Sequence, residues 1–475
     1  MTQQEKSSIL ARNLRALDPE DAEEMTRKIY ANVGEALRRV ATQVKVLLDL
    51  TSGLKKIPGT PTIMSPKSTP IANMKSYLDS SLSPSLGRSS NPSDEIHQAL
   101  DMSNILGQAV DIAQTQITKI LKVRSEQTTQ LPLPLFLHYF QLNRMFADEC
   151  EAISGRGGTA LKTVVNAHIK EFVSRFGEVQ RRDLVQRMDA DKWEARDFTE
   201  ADTEILARII DSSTQDIDIW KETSSLCHNP DSLPIQLQPN GHIEPTPTTK
   251  PQVRSATIDM QQFILPASAI KILHTLELFS ILTVGIPYLV NDIATALLEF
   301  LKLFNSRSAQ LILGAGATLS AGLKNITTKH LALANQALSF IAALMPHVRE
   351  FVRRYAANAT GLVSLMTEFD KVKRLYQEHQ SGIQDKLVEI MSGRATTHVN
   401  AMKKVHWNDA GHSGGVSPYM ETLVKETTTL HKVLSKHLPD ETVKMVMQPV
   451  FASYREQWTA AFRGADVGNE AGKQR

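Results

Sequence analysis

LVNDIATALLEFLKLFNSRSAQLILGAGATL, from Leu289 to Leu319, is the stretch that decides the fold class. Leu289, Ile293, Leu297, Leu301, Phe304, Ser308, Leu311, Ala315 and Leu319 recur at steps of three or four. Those steps follow the 3.6-residue turn and place the whole set on one side of a helix. Arg307 and Gln310 fall off the stripe. Downstream, Thr327-Thr328 supplies a cap for a helix carrying Leu331, Ala334, Leu338, Ile341 and Met345, with Pro346 as a kink or break. Leu365, Phe369, Val372, Tyr376, His379, Ile383, Leu387 and Ile390 predict a long third helix. His406 to Pro418 is a loop, and two last helices are split at Leu438-Pro439-Asp440.

The same period runs upstream. Asp18-Pro19 reads as an N-cap with proline at the first helical position. Met25, Ile29, Val33, Leu37, Val40, Val44 and Leu47 then predict a helix of about 30 residues, roughly 45 Å long. Further stripes are Leu106 to Ile120, Phe136 to Phe146, Leu161 to Val179 and, after a cap at Thr199, Ile205 to Ile210. Proline- and serine-rich stretches at 52–93 and 212–257 predict disordered linkers. No segment alternates with a period of two between hairpin turns, so the expectation is all-α, antiparallel long helices joined by loops. The expected organisation is a long amphipathic helix of a first bundle (1–51), a linker (52–93), a helical bundle (94–211), a second linker (212–257), a C-terminal bundle domain (258–465) and a disordered tail (466–475).

Composition narrows the function. Lys+Arg is 53 against 51 Asp+Glu, which argues against a dedicated nucleic-acid binder. Two cysteines, Cys150 and Cys227, make neither a disulfide framework nor a zinc site, and suit a reducing compartment. The N-terminus lacks the apolar core of a signal peptide. The most apolar region, Phe263 to Val290, is interrupted by Lys271, His274 and Glu277, so a membrane span is not expected. Any membrane role is expected to be peripheral.

Catalytic patterns fail on context. GHSGG, Gly411 to Gly415, matches the nucleophile-elbow pattern around Ser413, but that chemistry needs a strand before the serine and a helix after it. Gly314, Gly316 and Gly322 resemble a dinucleotide loop, yet the third glycine position is Leu319. Small residues that let helices approach closely explain the glycines better. The histidines show no metal spacing; His168 and His379 lie in apolar stripes and are expected inside the core. Basic doublets at Arg38-Arg39, Arg181-Arg182, Arg353-Arg354 and Lys403-Lys404 are expected on solvated helix faces. No catalytic residue, metal or cofactor is expected.

FNSRSAQLILGAGA (Phe304 to Ala317) and GLKNITTKHLAL (Gly322 to Leu333) resemble the C-terminal half of the vacuolar protein sorting-associated protein 54 family. Weaker resemblance runs through Glu35 to Asp49, Ile169 to Phe176, Trp193, Lys386 to Met391 and Leu430 to Glu441. The resemblance covers the C-terminal half of that family, so a counterpart of its amino-terminal half, with the coiled-coil region used to assemble the complex, is not expected within these residues. The resemblance implies an elongated rod of stacked helical bundles, of the kind found in multisubunit tethering complexes. It implies a non-enzymatic subunit of the Golgi-associated retrograde protein (GARP) complex. Expected partners are the other subunits, SNARE proteins and small GTPases, with vesicle tethering in retrograde transport from endosomes to the trans-Golgi network. The expected place is the cytosol, peripheral on trans-Golgi and endosomal membranes. Alternatives are a subunit of another helical-rod tether, exocyst-like in design, or a peripheral membrane-binding scaffold. Within the two motifs, Phe304, Leu311, Gly314, Ala315 and Gly316 are expected to form family-motif core. Arg307, Gln310, Lys324 and Lys329 are expected to tie a helix junction or to face a partner.

Overall fold

The computed structural model describes residues 2–53, 92–155, 159–224, 254–313, 326–356, 360–407, 415–465 and 467–468. Among them fourteen α-helices carry the chain, beside one two-stranded hairpin, so the protein is all-α as its stripes predict. The described residues fall into two compact units, divided between Phe172 and Val173 inside a single helix.

The first unit contains α1 (Gln3–Ala16), α2 (Pro19–Gly53), α3 (Pro92–Val123), α4 (Ser125–Thr129), α5 (Leu133–Ser154) and the start of α6 (Thr159–Ala190). α2 begins at the expected Pro19 and packs on α3 and α5. Its buried face is rotated from the expected stripe. Ala22, Tyr30 and Leu37 are buried, while Met25, Ile29, Val33, Val40 and Val44 are half-buried and Leu47 is exposed. Tyr30 explains the rotation: its ring stacks on Phe146 at 4.3 Å and its hydroxyl donates to Asn143 Oδ1 at 2.6 Å. A buried tyrosine needs such a partner. The Arg124 guanidinium donates to the carbonyls of Leu14 and Leu17, placing a cation on the open C-terminal end of α1.

The second unit takes the rest of α6, α7 (Glu200–Asp211), most of α8 (Asp218–Thr223), β1 (Ala256–Ile258), β2 (Gln261–Phe263), α9 (Ala267–Gly285), α10 (Val290–Ile312), α11 (Thr328–Tyr355), α12 (Leu362–Met402), α13 (Pro418–His437) and α14 (Asp440–Arg463). α12, 41 residues long, packs on α10, α11, α13 and α14. At roughly 1.5 Å per residue it is about 60 Å long, so it reaches all of them. It buries Leu365, Phe369, Val372, Tyr376, His379, Ile383 and Leu387 as predicted, and continues with Met391, Ala395, Val399 and Met402. Thr199 caps α7 through a reciprocal pair with Asp202, and Thr327 caps α11 with His330. Gly177 on α6 marks a close approach, because a Cβ there would lie 3.2 Å from that of Ala296 on α10.

Four readings change. A hairpin exists: β1 and β2 pair antiparallel across Asp259 and Met260, both with positive φ. Three-residue strands are too short for a visible alternation, and the turn lacks its usual glycine. The stretch expected as the linker 212–257 is helical at Asp218–Thr223 and enters β1 at Ala256; its middle lies outside the described residues, as does most of 52–93. α10 ends at Ile312, short of the expected Leu319. Pro346 lies inside α11 without ending it.

α9 and α11 are long and apolar enough to cross a membrane, yet 67% and 78% of their most apolar windows are buried in the protein. Packing accounts for that apolarity. Phe279 of α9 meets Phe176 edge-on at 5.1 Å and Phe300 at 6.1 Å, and Phe340 of α11 meets Phe263 at 5.7 Å.

Candidate functional site

The motif helix α10 turns Phe304 and Leu311 fully inward. The Phe304 ring lies 6.4 Å from Tyr376 of α12, whose hydroxyl donates to the Leu301 carbonyl at 2.8 Å. One turn on, His379 Nδ1 sits 2.9 Å from Asn305 Oδ1, while His379 Nε2 finds no hydrogen-bond partner in the protein. His168 is likewise interior, with Nδ1 2.7 Å from the Tyr139 hydroxyl. Both histidines are core residues, as their place in the stripes predicts.

Burial pushes His379 down to about 4 from the ordinary histidine value. The sign of the effect on stability follows directly. Between pH 6.5 and 4 the unfolded chain takes up a proton that the folded chain refuses, so stability falls as pH drops through that window and is flat above it. The full loss, reached only below pH 4, is on the order of 3 kcal/mol. Urea unfolding from pH 7.5 to 4.5 checks it, with His379→Gln expected to give a shallower slope than the parent.

Arg307 ties helices together. Its Nη2 and Nε lie 2.6 and 3.0 Å from Asp189 Oδ1 on α6, and its Nη1 donates to Gln310 Oε1 at 3.0 Å. The pair is partly open to solvent, so it contributes about 0.5–1 kcal/mol. Arg307→Ala is expected to lower the melting temperature by only a few degrees. Arg307→Glu, which sets a carboxylate against Asp189, should lower it further; equal melting for both would remove the junction role. Lys329 is exposed on the first turn of α11. Gly314, Ala315, Gly316, Lys324 and Ser413 lie outside the described residues.

The three ionisable groups that interrupt the apolar run of α9 all have partners within the second unit. Lys271 Nζ lies 2.9 Å from Asp183, His274 Nε2 lies 2.6 Å from Asp202, and buried Glu277 accepts from Arg208 Nε at 2.7 Å and Trp220 Nε1 at 3.1 Å. Spaced three apart, they give α9 one polar edge facing α6, α7 and α8. Sequence shows these charges but not their partners, which lie 57 to 88 residues away in sequence.

Arg354 was expected on a solvated face with Arg353. The structure separates the two. Arg353 pairs with Glu350 on its own helix, whereas Arg354 donates to the carbonyls of Ser212 and Gln215 at 2.6 and 2.9 Å and to Asp216 at 2.7 Å. That clamp fixes the turn after α7. Arg38, also read as solvated, pairs with Glu149 of α5 as well as with Glu35.

Among the described residues, no group of three or more His, Cys, Asp or Glu side chains is placed to hold a metal. Cys150 is buried and burial pushes its thiol up, so it is a poor nucleophile. What the described residues offer is a tied frame with solvated outer helix faces.

Comparison with known proteins gives this frame its relatives. Residues 260–394, from the hairpin turn into α12, match the family described as Vps54-like protein. The chain is 25% identical over 416 residues to Vacuolar protein sorting-associated protein 54, chloroplastic, of Arabidopsis thaliana, covering 77% of this chain and 40% of that protein. It is 26% identical over 378 residues to Vacuolar protein sorting-associated protein 54 of Rattus norvegicus, covering 79% and 36%. The protein of that name in Schizosaccharomyces pombe is 23% identical over 442 residues, covering 93% and 41%. The chain thus spans about two fifths of the length of these relatives. No solved structure matches it.

Proposed function

We propose that this chain, a relative of the vacuolar protein sorting-associated protein 54 proteins along most of its length, is a non-enzymatic docking subunit of a vesicle-tethering complex. Its relatives are named as protein-sorting proteins, and this chain shares the sorting role. In the finer reading, the complex is of the GARP type. It acts in retrograde transport from endosomes to the trans-Golgi network and cooperates with SNARE proteins and small GTPases. The chain sits peripherally on those membranes through its partners.

The observation that carries this is the relationship itself, which runs through both units rather than one motif. The physical design supports it. Interior Glu277 and Tyr376 join helices, and half-buried Arg354 holds the turn after α7. The exposed faces are left for other molecules. Arg307 belongs to the frame through Asp189, while Gln310 and Lys329 are exposed and are the motif residues proposed to meet a partner.

Affinity purification of the tagged chain from its own cells, followed by mass spectrometry, tests the proposal. Large helical tether subunits and SNARE proteins should be recovered in constant ratio to the bait. Recovery of the bait with metabolic enzymes, or of exocyst-type subunits in that same ratio, would overturn the GARP reading.

A further inference from the structure

Beyond Met391 of α12, the end of the second unit joins the rest through a level almost free of apolar core. α12 and α14 run parallel there and α13 runs against them: Ser392 and Thr396 meet Ser453 and Gln457, Thr427 meets Tyr454, and Tyr419 stacks on Trp458. Toward the body of the unit, Leu387 and Met391 of α12, Leu430 and Leu434 of α13, and Val446 and Val450 of α14 are buried. Toward the end, Ala395, Val399, Met402, Leu423, Trp458 and Ala461 form a dry cluster of their own, against which the Tyr454 ring packs. Between the two, α13 buries nothing from Val424 to Thr429 and α14 nothing from Phe451 to Gln457, while α12 buries only the Ala395 methyl.

Polar groups fill that level. The Ser392 hydroxyl donates to Ser453 Oγ at 2.8 Å, and Gln457 Nε2 donates to Ser453 Oγ at 3.0 Å and to the Ser392 carbonyl at 3.2 Å. The Thr396 hydroxyl donates to Gln457 Oε1 at 2.9 Å, and the Thr427 and Tyr454 hydroxyls lie 3.0 Å apart. Glu426 of α13 lies 2.9 Å from Arg394 Nη1 and 3.2 Å from His398 Nε2, both on α12. These side chains are half-buried or exposed, so water competes for each contact. A level of this kind fixes the register of its helices, as a polar layer does in a coiled coil. It also costs cohesion, because the apolar contacts that would couple one core to the next are missing. We propose that this level is a parting line: the last turns of α12, the first of α13 and the last of α14 open together as one body while the rest of the unit stays folded. A cooperative unit needs a core of its own and weak coupling to its neighbours, and this end has both. It is a moving part that can rearrange without loosening the Phe304–Tyr376 contact, which lies on the body side of the line. The inference is independent of the tether reading.

Amide hydrogen exchange of the full chain in rising, sub-denaturing urea, read by mass spectrometry, tests it. Segments 396–402, 419–425 and 458–463 should exchange through one common opening. That opening should be at least about tenfold more frequent than the opening of segments 380–390, 430–437 and 443–450 of the same helices. Ala395→Gly, which removes the remaining apolar link and weakens the helix, should raise opening of the end roughly tenfold and leave the body-side segments unchanged. Thr396→Val with Gln457→Leu, which puts apolar contact in place of the hydrogen bonds, should lower it roughly tenfold. Circular dichroism checks that both variants keep their helix content, and Ala395→Gly decides alone if the double variant does not fold. Protection that declines smoothly along each helix, as in ordinary fraying, or all six segments opening together, would overturn the proposal. So would exchange at the end that Ala395→Gly leaves unchanged.

Discussion

Truncating Phe304 to alanine is expected to cost about 3–5 kcal/mol of stability. The ring is fully buried, stacks against Tyr376 and sits where α10 crosses α12, so its removal leaves a cavity between two long helices that cannot easily collapse. Against a typical total of about 5–15 kcal/mol, that loss leaves the second unit marginal at physiological temperature. Circular dichroism melting reads it, and Phe304→Leu, which keeps most of the volume, should recover more than half of the loss. If Phe304→Ala melts within two degrees or so of the parent, the α10–α12 contact is not the core of the unit.

The second large effect belongs to Glu277. Replacing it by alanine strips Arg208 and the Trp220 indole of their shared acceptor in the interior. Removing one partner of a fully buried pair costs about 3–5 kcal/mol; Arg208 keeps 22% of its side chain exposed, so a loss below that range, about 2–3 kcal/mol, is expected. Glu277→Gln keeps an oxygen for both donors and should lose about half as much. A double cycle with Arg208→Ala separates the pair from its surroundings: coupling above about 1 kcal/mol supports the clamp, and strict additivity would refute it.

These two sites differ in how far they can be anticipated from the chain alone. Phe304 announces itself, because a stripe at three- and four-residue steps has to face a core whatever the neighbours are. The same holds for Tyr376 and Leu387, and for the boundaries at Pro19, Thr199, Thr327 and Pro439, where proline and capping chemistry act locally. Glu277 does not, since its meaning lies in Arg208 and Trp220, which only folding brings near. Arg354 teaches the same lesson: a doublet with Arg353 looks solvated until the turn after α7 arrives beside it. The rotated face of α2 has another cause. Tyr30, which the aliphatic stripe omits, turns inward to Phe146 and Asn143 and takes the helix face with it. The hairpin at Ala256 to Phe263 escaped because three residues per strand hold no readable alternation. Among the polar motif residues, only the packed neighbours reveal that Arg307 reaches across to Asp189 and also holds Gln310, while Gln310 and Lys329 are themselves exposed.

The central claim is that the chain works as a fixed part of a larger helical assembly. Its native size in a gentle cell extract tests this most directly. At 52.7 kDa the chain alone would elute as a small particle. The account predicts that the tagged chain, at its natural abundance, elutes at several hundred kilodaltons together with other large sorting subunits and leaves that position when Phe304→Ala is introduced. Elution of the parent chain as a free monomer, with no other subunit in its fractions, would contradict it.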